Sequence, residues 1–276
     1  MNIVISGLGI IGGSFAKSLK KYTNHYIIGI NRSPAPLEQA LSCGAIDEIG
    51  NEASLQKADM IILGTFPEAA VSFVEKNASL IPKGCIVIDS AGIKTEICPA
   101  LNSLAHKHGF EFVGVHPMAG KEKNGFAASD ADLFCNASCI IIPGKAGTQA
   151  VETVARLAEK IGFGCIVYSN PEEHDRMIAF TSQLPHVIAC AYVMSPVCKK
   201  HKGFSAGSYR DVSRVAHINE KLWAELFIEN KQPLIEEIDI MTENLGKIKA
   251  AIESGDRSGL EALLARSRNI KEELGE

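Results

Sequence analysis

Near the start of the chain, the pattern Gly7-Leu8-Gly9-Ile10-Ile11-Gly12 stands between an apolar run, Asn2 to Ser6, and a stretch from Ser14 to Lys20 with helical spacing through Phe15, Ala16 and Leu19. Strand, glycine turn and helix in that order are the setting a dinucleotide-binding fingerprint requires. Gly7 permits the tight turn, Gly9 lets the backbone approach a pyrophosphate, and Gly12 allows helix and strand to pack closely. The helix N-terminus offers unpaired N–H groups to the anion. A second strand, Tyr26 to Ile30, follows where a βαβ unit needs it. Leu8, Ile10 and Ile11 on the turn and Thr65 after a later strand complete this group of cofactor candidates. A glycine turn that binds nothing is the competing structural reading.

The end of the second strand bears on which dinucleotide is bound. A carboxylate there holds the ribose 2′-hydroxyl of NAD, but this chain reads Gly29-Ile30-Asn31-Arg32-Ser33 and has no acid. Arg32 can present a planar, charge-assisted fork to a 2′-phosphate, with Asn31 and Ser33 as neutral donors. NADP is therefore the expected cofactor and NAD the alternative; the bland reading of Arg32 is a solvated loop arginine.

A second signal lies at Phe112-Val-Gly-Val-His116-Pro-Met-Ala-Gly120, where a β-branched run ends in a histidine on a Pro/Gly-punctuated loop. Open α/β sheets bind ligands at the carboxyl ends of their strands, and imidazole is the side chain best suited to proton transfer near neutrality. His116 is thus the candidate base, against the plainer reading of a histidine that satisfies a strand end.

Strands and helices alternate through roughly the first 165 residues, as in a parallel sheet covered on both faces. From Glu172 onward the pattern is helical, over His174 to Cys198, Asn219 to Leu245, and from there to the charged tail. The expected fold is α/β: an N-terminal Rossmann-type doubly wound parallel sheet over 1–170 and a C-terminal all-helical dimerisation domain over 171–276. Trp223, Leu226, Phe227, Leu234 and Ile238 give the helices apolar faces that a lone small domain leaves partly exposed, so a homodimer is expected.

A net charge of -4 over 276 residues gives no general case for nucleic acid. No stretch approaches the roughly 18 uninterrupted apolar residues of a membrane helix. The opening apolar run has no basic leader or cleavage site, and the eight cysteines, without a Cys-x-x-Cys pair, read as reduced core residues of a cytoplasmic protein. Cys135 and Cys139 lack a histidine at ligand spacing, so no metal is expected. His106 and His108 suit the C-terminus of a helix.

Further blocks join these: Asp89-Ser-Ala-Gly-Ile-Lys94, His116-Pro-Met-Ala-Gly-Lys-Glu-Lys-Asn-Gly125, His174-Asp175 with Ser182-Gln-Leu-Pro-His186, and Arg210-Asp-Val-Ser-Arg214. With the glycine fingerprint they make the chain resemble, over nearly its full length, the prephenate/arogenate dehydrogenases of tyrosine biosynthesis. The resemblance implies oxidation of a cyclohexadienol C4 hydroxyl by hydride transfer to NAD(P), with loss of the ring carboxylate as carbon dioxide. It implies prephenate or arogenate as substrate, His116 as acceptor of the C4 hydroxyl proton, and Arg214 as a substrate-carboxylate partner reaching the cleft from the helical domain. His186 matches a site-lining position, with a structural histidine at a helix bend as the alternative. Gln183 replaces a family histidine. Gly92 stands where many relatives have a serine, leaving Ser90 as the hydroxyl nearest that place. Lys94 either caps the site or faces solvent. Lys121 is read as a solvated turn residue, Glu122 as a gating or ion-pairing one, and Arg210 as part of the same ionic network. Asp175 and Arg176 are read as stabilising the start of their helix.

Two other classes compete: another NADP-dependent reductase with a helical dimerisation domain, which has no need of the His116 loop, and a non-enzymatic dinucleotide sensor, which has no reason to keep His116 and Arg214 together.

Overall fold

Short runs of isoleucine and valine make the centre of the molecule, which is a computed structural model describing residues 1–121 and 123–275. Strands β1 (Asn2–Ser6), β2 (Tyr26–Ile30), β3 (Glu48–Ile49), β4 (Met60–Leu63), β5 (Ile86–Asp89), β6 (Glu111–Pro117), β7 (Ser138–Ile142) and β8 (Cys165–Tyr168) form one sheet in the order β3-β2-β1-β4-β5-β6-β7-β8. The order reverses between β1 and β4, which opens a crevice at their carboxyl ends. Helices α1 (Ile10–Tyr22), α2 (Pro34–Ser42), α3 (Pro67–Asn77), α4 (Ile97–His108) and α5 (Thr148–Lys160) cover the sheet.

Successive strand side chains alternate between two cores. Ile3 and Ile5 of β1 join Phe15, Leu19, Phe134 and Val154 on one face. Val4 joins Ile61, Val74, Val87 and Leu101 on the other. Cys85, Cys98 and Cys139 are buried in these cores, where desolvation pushes each thiol up to about 12 and so keeps it inert.

The sheet departs from the expected all-parallel form at β6. Its first half pairs in parallel with β5 through Val113, and its second half pairs antiparallel with β7, setting His116 opposite Ile140. Among its described residues the link from β6 to β7 holds a 3₁₀ turn, Phe126–Ala128, and hydrogen-bonded turns over 131–136 but no α-helix, and without a crossover helix the chain returns antiparallel.

The helical half is more broken than its periodicity suggests. The stretch expected as one helix from His174 divides into α6 (Pro171–Ile178), a π turn over Ala179–Gln183, and α7 (Leu184–Val193). Pro185 has no N–H to donate and its ring crowds the carbonyl four residues back, and the wide π turn absorbs both effects. A short α8 (Gly207–Ser213) follows. The helix expected from Asn219 becomes α9 (Glu220–Glu229) and α10 (Lys231–Ser254), which divide at Asn230. The Asn230 amide turns inward to donate to the Asp175 carbonyl at 2.8 Å and to Gln183 Oε1 at 2.7 Å. Gly255, at φ +66°, ends α10 before α11 (Arg257–Leu274). Leu234 is buried with Ala179 and Leu184, and Phe227 and Ile238 pack against them, so these apolar residues close a core within the chain. Among the described residues no helix is long and apolar enough to cross a membrane.

Lys94 neither faces solvent nor caps the cleft, because it is wholly buried. Its Nζ lies 2.5 Å from Asp89 Oδ2 and donates to the Val115 carbonyl at 2.7 Å, while Asp89 Oδ1 accepts from Val115 N at 3.1 Å. Where β5 ends, this ion pair replaces the backbone ladder and fixes the segment of β6 that carries His116. Removing one member of a buried pair leaves the other uncompensated, so Lys94→Met should lower stability in urea unfolding by about 3–5 kcal/mol. Changing both residues, Asp89→Leu with Lys94→Met, should recover most of that loss; a single variant as stable as the parent would show the pair is not a structural lock.

Candidate active site

The glycine turn has the shape a dinucleotide requires. Gly7 sits at φ +94°, and a Cβ on Gly12 would lie 1.9 Å from the Gly7 carbonyl oxygen, so both positions are closed to side chains. A Cβ on Gly9 would meet nothing within 4 Å, which leaves the turn open on its outer side. Gly9 caps α1 without a side-chain hydrogen bond, so the first N–H groups of the helix remain available to an anion. Beside the turn, the Thr65 hydroxyl is buried without a partner among the described residues. An orphaned hydroxyl at the carboxyl end of β4, next to open helix N–H groups, fits a bound polar group rather than a packed core.

Asn31 acts differently from its expected role as a phosphate donor. Its Oδ1 accepts from Leu8 N and its Nδ2 donates to the Ser33 carbonyl, both at 3.0 Å, so the amide braces the glycine turn against the loop after β2. Arg32 and Ser33 are exposed there.

His116 lies just past the end of β5. Its Nδ1 is 2.9 Å from His174 Nε2, and His174 Nδ1 is 2.6 Å from Asp175 Oδ1. Asp175 does more than stabilise the start of α6: it accepts from Lys94 N at 2.8 Å and from Thr95 N and Thr95 Oγ1 at 2.8 and 2.6 Å. Burial works against its charge, but the bonds from His174, Thr95 and Lys94 together hold its carboxyl below the usual carboxylate range. Burial, with His174 and the Lys94 ammonium nearby, holds the His116 imidazole well below its ordinary range. The His116 imidazole is therefore neutral at physiological pH.

The other edge of His116 opens on a cleft of about 810 Å³ between the two halves of the chain. Gly92, Met118, Gln183, His186, Trp223 and Leu226 contribute to its walls. A Cβ on Gly92 would lie 3.8 Å from both His116 Nε2 and Leu226 Cδ2, so the glycine leaves the Nε2 edge uncovered. The His186 ring stacks on Trp223 at 3.7 Å between centroids, and its Nδ1 donates to the Ser182 carbonyl at 2.8 Å. Lys121 and Lys123 stand at the rim, Lys121 in an exposed ion pair with Asp130.

Of the residues expected in the substrate site, His116 and His186 share this cleft. Ser90 does not line it; its hydroxyl donates to the Leu63 carbonyl at 3.1 Å, on the side of the glycine turn. Arg214, in the turn after α8, and Arg210, exposed on α8, are also outside the lining, which that segment reaches at His217. Glu122 lies outside the described residues. Local sequence spacing could not mark His174 and Trp223, since their partners, His116 and His186, are 58 and 37 positions away.

The nucleotide-binding domain model of the prephenate dehydrogenases matches residues 15–167, and their dimerisation domain model matches 170–266. The prephenate dehydrogenase of Bacillus subtilis (strain 168) is 30% identical over 99% of this chain and 76% of its own length. The cyclohexadienyl dehydrogenase of Zymomonas mobilis is 31% identical over 92% of this chain and 89% of its own. Among solved structures, prephenate dehydrogenase from A. aeolicus in complex with hydroxyphenyl propionate and NAD+ superposes with a TM-score of 0.88 at 28% identity, covering 99% of this chain and 98% of that one. Synechocystis arogenate dehydrogenase gives 0.86 at 26% identity, over 99% and 100%. Matched through both domains and over almost its whole length, the chain belongs to the prephenate dehydrogenase family.

Proposed function

We propose that this protein oxidatively decarboxylates prephenate, arogenate or both. The observation that carries this reading is His116: a neutral imidazole whose Nε2 edge opens on a cleft next to a dinucleotide-binding turn. Nicotinamide, when bound, supplies the hydride acceptor. Gly7, Gly9 and Gly12 with the N-terminus of α1 would hold the pyrophosphate, and the Thr65 hydroxyl is placed to meet a polar group beside it. His116 Nε2 takes the hydroxyl proton as hydride leaves C4. The electron pair of the breaking bond to the ring carboxylate restores the aromatic ring, and the oxygen regains its proton as carbon dioxide departs. Trp223 and His186 offer a flat wall for the ring. His186, Lys121 and Lys123 at the rim suit the substrate's carboxylates, and Arg214 enters as a further carboxylate partner if the segment carrying it moves toward the cleft.

An assay with prephenate and arogenate, each with NAD and NADP, separates this reading from another reductase and from a sensor. His116→Asn keeps a similar size but removes the base, so kcat should fall by roughly 10²–10⁴-fold. Near-normal turnover in that variant would overturn the assignment. Because the neutral imidazole is the working form and its folded pKa is depressed, activity should persist as pH falls through the ordinary histidine range and be lost only below it. An acid limb at or above about 6.5 would contradict the burial argument.

NADP is the favoured cofactor, since the end of β2 carries Asn31 and Arg32 in place of an acid. With the Asn31 amide committed to Leu8 and Ser33, the phosphate contact falls to Arg32 and Ser33. Arg32→Ala should raise the Kd for NADP about ten- to hundredfold, the loss of a charge-assisted bond, and change that for NAD little. Equal effects, measured by titrating each cofactor, would remove Arg32 from phosphate recognition.

The helical half further suggests a homodimer, since Phe204, Ile228, Ile240, Leu245, Ile252 and Leu264 are exposed, Phe204 at 93%. Light scattering at low micromolar concentration should report twice the 29.6 kDa chain. Ile240→Glu with Ile252→Glu should shift that mass toward the monomer, and a monomeric, fully active parent would reject the arrangement.

A further inference from the structure

We propose that His174 and Asp175 are positioning residues that fix the His116 tautomer, so that the bare Nε2 lone pair faces the cleft. The inference rests on the reading of His116 as the base. An ionised carboxylate can only accept hydrogen bonds, so His174 Nδ1 donates across the 2.6 Å contact to Asp175 Oδ1. With the single proton of an imidazole placed at Nδ1, His174 Nε2 is bare and is an acceptor. His116 Nδ1, 2.9 Å away, must supply the proton, which leaves His116 Nε2 without one. The opposite tautomer would put an N–H where the substrate hydroxyl must donate, and the ring would not accept its proton.

Asp175 is itself fixed. Lys94 N, Thr95 N and Thr95 Oγ1 fill its acceptor sites from the turn after β5, and the Asn230 amide donates to its carbonyl from the head of α10. Gly92 offers no side chain to orient the ring, so the chain orients it from behind. The base sits on a strand of the nucleotide-binding half while the group that sets its proton sits on the first helix of the other, so a working base requires the two halves docked. The charged groups beside the pair are Lys94, with its partner Asp89, from the β5 end and Asp175 on α6; Glu229 at the end of α9 lies within electrostatic reach of Asp175, and burial with its acidic neighbours pushes its carboxyl up to about 7.

Imidazole ¹⁵N shifts of the substrate-free wild-type protein at neutral pH read the tautomer directly. His116 should be protonated at Nδ1 and bare at Nε2; a protonated Nε2 overturns the proposal, whatever the activity of His116→Asn. In Asp175→Asn, kcat should fall by roughly 10²–10⁴-fold with KM nearly unchanged, as when a histidine loses the carboxylate that sets its tautomer. Loss of the anion also disfavours protonation of the histidine pair, so the acid limb of kcat/KM should move to lower pH. Glu229→Gln should leave that limb in place, which separates the pair from the carboxyl that titrates nearby. His174→Gln, whose side-chain carbonyl can still accept from His116 Nδ1, should keep at least tenfold more activity than His174→Leu. Equal activity in the two His174 variants, or an Asp175→Asn enzyme with parental kcat and an unmoved acid limb, overturns the proposal.

Discussion

One carboxylate holds the two halves of this molecule in register. Asp175 belongs to the first helix after the sheet, yet its oxygens are occupied by the backbone and hydroxyl of the turn after β5 and by His174. Taking a carboxylate out of water costs several kcal/mol, and only a full set of donors offsets it. Here the donors more than offset burial, since the Asp175 carboxyl is held below the usual carboxylate range. A depressed folded pKa means that its contribution is present above the unfolded value and is lost as pH falls through the folded one. The junction therefore survives across the range in which histidines titrate.

The same turn is anchored from below by the Lys94–Asp89 pair, wholly buried and bonded to both the N–H and the carbonyl of Val115. Two buried carboxylates, Asp89 and Asp175, thus grip one loop from opposite sides, and His116 stands one residue beyond the lower grip. Such a loop has little freedom to rearrange, and the imidazole it supports is held at a fixed place on the cleft.

Much of this was legible in the residues themselves. The apolar strands Asn2–Ser6, Tyr26–Ile30 and Met60–Leu63 lie where their composition puts them, because strands buried on both faces read as continuous apolar runs. The glycine turn was readable for a similar reason, since each glycine answers a local steric demand. The reversal of β7 was not, because direction depends on the missing crossover helix rather than on the strand. Nor was the division of the long helices, where Pro185 gave a signal but Asn230 did not. The Asn230 break is set by its inward bonds to Asp175 and Gln183, about 50 positions away. Lys94 was the least legible: its carboxylate, Asp89, stands only five positions before it, but its burial depends on β6 being laid beside β5 so that the Val115 carbonyl accepts from its Nζ.

Gln183 and Gly92 act together in the cleft. Gln183 is buried, donates to the Leu226 carbonyl at 2.9 Å and accepts from Asn230. It thereby ties the π turn to the junction of α9 and α10 and sets the height of Leu226 in the cleft wall. Leu226 in turn faces Gly92, where a Cβ would meet it and His116 Nε2 at 3.8 Å, an ordinary contact distance. A side chain at Gly92 is thus sterically admissible. The glycine instead leaves the Nε2 edge of His116 open to the cleft, and the contact that orients the imidazole is made at its Nδ1 edge. Burial acts on the same ring, because desolvation disfavours the imidazolium and keeps the His116 side chain neutral.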